Sequence, residues 1–84
     1  MKGHSGGINS VSFSPDGTKV VTGSDDNLAI IWNVKTGKII GEPLKCHSDA
    51  INSVSFSPDG TRIVTGSQDK LAIIWDVKTG AIIG

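Results

Sequence analysis

The chain says one thing twice. Shifting its 84 residues by 43 lays His4 on His47 and Gly41 on Gly84, and 30 of the 38 paired positions are identical. The string "NSVSFSPDG" stands unchanged at Asn9–Gly17 and at Asn52–Gly60. Most of the differences are gentle: Lys19 against Arg62, Val20 against Ile63, Asp25 against Gln68, Asn27 against Lys70, Asn33 against Asp76. A period of this length and fidelity marks a repeat architecture, in which each unit buries its faces against its neighbours. The units divide the chain into residues 1–41 and 42–84.

Each unit holds four short strand-like runs. In the first unit they are residues 8–13 (INSVSF), 19–23 (KVVTG), 28–32 (LAIIW) and 38–40 (KII). The strings SPDG, SDDN and NVKTG separate them. Pro, Asp-Gly and Asx residues are turn formers, each for its own backbone reason. "GEPLKCH" reads as the link to the next unit. No run has the length and period of a helix. The predicted fold is therefore all-β, with four short antiparallel strands per unit. The third strand is apolar on successive residues, so both of its faces are expected to be covered. A four-stranded sheet covered on both faces by copies of itself can be a blade in a ring.

Composition removes several function classes. Lys and Arg total 8, Asp and Glu total 8, and no basic stripe points to nucleic acid or to an anionic membrane. The apolar runs are too short to span a bilayer as a helix. The N-terminal MKGHSGG lacks the apolar centre of a signal peptide. A single cysteine, Cys46, forbids an internal disulfide and makes a reducing, cytoplasm-like compartment the default expectation.

The strings HSGGINSVSFSPDGTKVVTGSDDNLAIIWNV and HSDAINSVSFSPDGTRIVTGSQDKLAIIWDV resemble WD40 repeats. The histidine, FSPDG, the TGS-x-D string and the tryptophan fall in register both times. The second copy carries the full Trp75-Asp76 signature; the first has Trp32-Asn33. The likeness is nearest to the uniform WD40 arrays of large fungal and bacterial proteins. It implies a polar network in each blade, joining a histidine, a threonine, an aspartate and a tryptophan. Matched residue by residue, the first would use His4, Thr22, Asp26 and Trp32, and the second His47, Thr65, Asp69 and Trp75. Asn33 can still accept a hydrogen bond. Cys46 stands where glycine usually precedes the histidine, and Leu28 and Leu71 where threonine is common.

WD40 propellers typically have seven blades, and propellers in general about four to eight. Two blades alone would leave Ile30, Ile31, Ile73, Ile74 and their neighbours on bare outer faces. Each such side chain, fully buried, contributes roughly 1.5–3 kcal/mol, against a net stability of about 5–15 kcal/mol. The chain runs from MKGH to AIIG, so each copy is expected to supply two whole blades. The expectation is self-assembly into a closed β-propeller with the chain itself as partner. A homo-tetramer giving eight blades is favoured over a homo-trimer giving six. The corresponding function is a non-enzymatic structural scaffold. The alternative is a fragment of an interaction or sensor domain that binds a protein or peptide partner on its loop face, through Ser5, Asp25, Ser48, Asp49 and Gln68.

No enzyme site is expected. His4 and His47 lie one blade apart, too far to share a metal, and Cys46-His47 has no matching second pair. Gly3 stands where Cys46 would need a counterpart as ligand or nucleophile. Asp16, Asp25, Asp26, Asp59 and Asp69 sit in turns without calcium-loop spacing or a facing carboxylate pair. GSDDN and KTG lack the full phosphate-loop string and a following helix. Trp32 and Trp75 are expected to pack rather than to stack on a ligand. No catalytic, metal or cofactor residue is assigned.

Overall fold

The computed structural model describes residues 3–45 and 47–83. Among the described residues seven strands follow one another: β1 Ile8–Phe13, β2 Lys19–Ser24, β3 Leu28–Asn33, β4 Ile39–Lys45, β5 Ile51–Phe56, β6 Arg62–Ser67 and β7 Ala72–Asp76. They form a four-stranded sheet in the order β1-β2-β3-β4 and a three-stranded sheet in the order β5-β6-β7. All pairings are antiparallel. Among the described residues no helix is long and apolar enough to cross a membrane.

The turns follow from local chemistry. In the first hairpin the Gly17 N–H donates to the Ser14 carbonyl, and Gly17 takes φ +75°. Asp16 Oδ1 accepts from Ser14 Oγ at 2.7 Å, Thr18 N at 3.0 Å and Thr18 Oγ1 at 2.8 Å. Asp59 repeats the motif with Ser57 and Thr61. The Thr18 amide and the hydroxyls of Ser14 and Thr18 draw the Asp16 carboxyl down to about 2. The Ser57 hydroxyl and the Thr61 amide and hydroxyl bring Asp59 to about 2 as well.

β4 is longer than the sequence suggests. The link expected at GEPLKCH continues the strand to Lys45. Gly41 at φ +71° absorbs an irregularity in register, after which Leu44 pairs with Ala29 and Lys45 with Leu28. Pro43 is tolerated because β4 is an edge strand, where a missing N–H breaks no ladder bond on the solvent side. In the second unit the corresponding segment contributes one bridge, Trp75 to Ile82, and the Ile83 N–H donates to the Ile74 carbonyl.

The two sheets share one core. Val21, Ala29, Ile31 and Leu44 of the first pack with Ile51, Val54, Phe56, Ile63, Ile73 and Trp75 of the second. Val20, Ile30 and Trp32 form a separate small cluster within the first sheet. Gly23 lets the sheets meet: a Cβ there would lie 2.6 Å from an Ile51 methyl and 2.8 Å from a Val54 methyl.

This arrangement overturns two expectations. The chain does not form two four-stranded blades in a closed propeller. It forms one four-stranded and one three-stranded sheet, packed together and open on both sides. The self-assembling scaffold falls with it, and the energetic reason given for it holds only in part, since Val11, Phe13, Val64 and Leu71 are exposed but most of the isoleucines named for it are not. Of the four isoleucines expected on bare faces, Ile30, Ile31 and Ile73 are 0%, 4% and 8% exposed within the single chain. Only Ile74, at 41%, is left open. The Trp32 cluster and the shared core shield the others without any second copy.

Candidate functional site

The turns between β2 and β3 and between β6 and β7 are built by aspartate. Asp26 Oδ1 accepts the Leu28 N–H at 3.0 Å, and Asp69 Oδ1 accepts the Leu71 N–H at 2.9 Å. The other oxygen of each carboxylate reaches back to the segment before the first strand of its unit. Asp26 Oδ2 accepts from the Ser5 N–H and from His4 Nδ1, both at 2.9 Å. Asp69 Oδ2 accepts from the Ser48 N–H at 3.0 Å and His47 Nδ1 at 2.8 Å.

From the histidine the chain of hydrogen bonds runs inward. His47 Nε2 lies 2.7 Å from Thr65 Oγ1, which accepts the Trp75 indole N–H at 2.9 Å. His4, Thr22 and Trp32 repeat this at 2.5 and 2.9 Å. One set of directions gives every atom a partner. The indole N–H donates to threonine, the threonine O–H donates to Nε2, and Nδ1–H donates to the carboxylate. Among the described residues no buried side-chain nitrogen or oxygen lacks a partner. The His4 and Trp32 rings also meet at a tilt, with centroids 6.4 Å apart.

The aspartates are charged anchors. Burial pushes the Asp26 carboxyl up, but the Leu28 and Ser5 amides and His4 hold it below the usual carboxylate range. For Asp69, burial is likewise outweighed by His47 and by the Leu71 and Ser48 amides. Their side chains are 5% and 6% exposed, and those of His4 and His47 are 3% and 0%. A group so enclosed has no open position for substrate. Among the described residues no cluster of three or more metal-ligating side chains exists. Cys46, considered beside His47, lies outside the described residues.

Around these anchors stands a polar rim. Ser5, Asp25, Ser48, Asp49 and Gln68 are all exposed. Asp49 Oδ1 accepts the Ala50 N–H at 2.8 Å, and the Gln68 N–H donates to the Ala50 carbonyl at 3.0 Å. Asn9, which sequence reasoning passed over, joins the two units. It sits where the β1–β2 register shifts, and its Nδ2 donates to Asp25 Oδ1 at 2.7 Å and to the Ile51 carbonyl at 3.1 Å. The Val54 N–H donates to Ser10 Oγ at 3.2 Å beside it. The signal was present, since Asn9 opens the repeated string, but a bulge that aims a side chain at a neighbouring unit leaves no mark within one repeat. The threonine–tryptophan and histidine–aspartate positions matched from the resemblance are brought together; the rim residues lie in the segments before β1 and β5 and in the turns after β2 and β6.

Comparison with known proteins agrees with this geometry. The model of the family described as "WD domain, G-beta repeat" matches residues 1–33 and 37–76. The chain is similar to a guanine nucleotide-binding protein subunit beta of Oryza sativa subsp. indica, 54% identical over 35 residues, covering 42% of this chain and 9% of the rice protein. It is also similar to a POC1 centriolar protein homolog of Drosophila melanogaster, 50% identical over 32 residues, covering 38% of the chain and 8% of that protein. A ribosome assembly protein 4 of Chaetomium thermophilum is 42% identical over 40 residues, covering 48% of the chain and 8% of that protein. The chain thus spans less than a tenth of the length of these relatives. With the family model matched over most of its length, in both units, the chain belongs to the WD40 family.

Proposed function

We propose that this chain is part of a WD40 interaction module and binds a protein or peptide partner on the rim formed by Ser5, Asp25, Ser48, Asp49 and Gln68. WD40 domains are non-catalytic scaffold and interaction modules, and this chain is not an enzyme. The observation that carries the reading is the anchoring of the rim. Each loop pair is fixed from below by a buried aspartate–histidine pair, and Asn9 ties the first unit's rim to the second. A rim held this way loses little conformational entropy on binding. The relatives that the chain resembles are named as a subunit, a centriolar protein homolog and a ribosome assembly protein. A reducing, cytoplasm-like setting belongs to the same reading and is supported by the single cysteine.

A peptide-array screen with the 84-residue chain tests this. Peptides that bind the parent should lose binding to Asp49→Lys and Gln68→Lys, and keep it with Arg62→Glu, on the opposite end of β6. Binding lost only in the Arg62 variant would refute the rim as the site.

A further inference from the structure

The two SPDG turns lie outside both the buried network and the rim, and they hold the chain's only Asp-Gly bonds, Asp16-Gly17 and Asp59-Gly60. Such a bond carries a slow reaction of its own. The glycine nitrogen attacks the aspartate Cγ and an N–Cγ bond forms. A carboxyl C–O bond breaks, and the oxygen leaves as water with the amide proton. Water then opens the five-membered imide at either carbonyl. One opening restores aspartate; the other leaves the main chain running through Cγ, as isoaspartate. Water is the only co-reactant. Glycine favours the closure because it has no Cβ to crowd it. Nothing lies within 4 Å of the place a Cβ would take at Gly17, and at Gly60 only the Pro15 ring approaches, at 3.3 Å. Asp16 and Asp59 are exposed.

The folded turn withholds both reactants through one residue. The Gly60 N–H donates to the Ser57 carbonyl at 2.9 Å, and the Ser57 hydroxyl donates to Asp59 Oδ1 at 2.7 Å. Ser57 is itself fixed to β6: its N–H donates to the Arg62 carbonyl at 2.9 Å, and its Oγ accepts the Arg62 N–H at 3.1 Å. Ser14 makes the same four bonds, to Gly17, Asp16 and Lys19. Closure also needs the uncharged carboxyl, because hydroxide leaves and oxide does not. The Ser57 hydroxyl leads in lowering Asp59 from 3.8 to about 2. At a pH well above both values the acid form is then scarcer by about sixtyfold.

We propose that Asp16 and Asp59 are the aspartates this chain converts to isoaspartate as it ages, and that Ser14 and Ser57 each set the rate of their own turn by holding its nitrogen and its carboxyl apart. Conversion adds a methylene to the main chain at the hairpin tip and leaves the carboxylate on a shorter side chain, so it breaks the bonds that close the turn. It proceeds from the locally opened turn.

The test incubates the 84-residue chain, its Ser57→Ala and Ser14→Ala variants and the free peptide acetyl-Ser-Val-Ser-Phe-Ser-Pro-Asp-Gly-Thr-Lys-amide at one temperature and mildly acid pH. Isoaspartate is read by tryptic mapping with electron-transfer fragmentation; cleavage after Lys19 and Lys45 places the two turns in different peptides. At both turns the parent should convert at least about tenfold more slowly than the free peptide. Ser57→Ala should speed Asp59 several-fold and leave Asp16 within about twofold of the parent, since none of the lost bonds reaches the first turn. Ser14→Ala should do the converse. Each turn thus reports whether the other variant has merely loosened the whole fold. Conversion of the parent at the peptide's rate, an Asp59 no faster in Ser57→Ala, both turns rising together in both variants, or isoaspartate forming first at Asp25 or Asp49 would overturn the proposal.

Discussion

Thr65 is the narrowest point of the buried network. It is 0% exposed, and its hydroxyl has two partners, His47 Nε2 and the Trp75 indole. Thr65→Val keeps the shape and removes the hydroxyl. The indole N–H and the imidazole nitrogen would then both be buried without partners, at about 1–3 kcal/mol each. The added methyl returns about 0.8 kcal/mol. The net loss is about 3 kcal/mol, a large share of a stability of about 5–15 kcal/mol. Thr65→Ser does the reverse: it keeps the hydroxyl and deletes a methyl, for a loss of about 1 kcal/mol. Urea unfolding followed by far-UV circular dichroism measures both. The order is the readout, with valine falling further than serine. A valine variant within about 0.5 kcal/mol of the parent, or a serine variant less stable than the valine variant, would refute the account of the hydroxyl as the bridge.

Three further outcomes are expected. Gly23→Ala should cost about 1–3 kcal/mol by overpacking, because its Cβ would meet Ile51 and Val54 at 2.6 and 2.8 Å, whereas Gly66→Ala should be mild, with its nearest atom at 3.8 Å; equal losses in chemical denaturation would contradict this. Lys70 holds φ +73°, a left-handed conformation that its counterpart Asn27 adopts more readily, so Lys70→Asn should raise stability by about 0.5–1 kcal/mol, read as a higher denaturation midpoint. The carboxyls of Asp16 and Asp59 are lowered from 3.8 to about 2 in the folded chain; a depressed folded value means their stabilisation is complete above the unfolded value and is lost as pH falls from 3.8 toward 2. The pair Asp16→Asn/Asp59→Asn should therefore flatten the fall of melting temperature across that window without abolishing it, since Asp26, Asp69 and Asp76 are lowered too.

Much of the fold could be read one unit at a time. The runs starting at Ile8, Lys19 and Leu28 became β1, β2 and β3 because turn chemistry is local: Asp16 and Gly17 close their hairpin with neighbours two or three residues away. The clustering of His4, Asp26, Thr22 and Trp32 was reachable through the resemblance alone, since nothing in spacing joins residues 22 and 18 apart. What escaped were features decided between elements. Gly41 looked like a strand end and is a kink inside β4, because Leu44 beyond it finds a place in the shared core. Asn9 gave no sign of its bond to the Ile51 carbonyl in the other unit.

The near-identity of the two units makes the last step clear. Phe13 and Phe56 are the same residue at the same place in the repeat, yet one is 63% exposed and the other 9%. Val21 is 0% exposed and its counterpart Val64 is 41%. Neither difference resides in the residues. The first unit turns its Val21 face to the second, and the second turns its Phe56 face to the first. A repeat therefore specifies its own turns and its buried network, because every partner lies within it. Its neighbours decide which of its apolar faces are covered. The error in expecting Ile30 and Ile31 to lie bare came from counting blades, when the tryptophan of the same unit and the core shared with the next had already enclosed them.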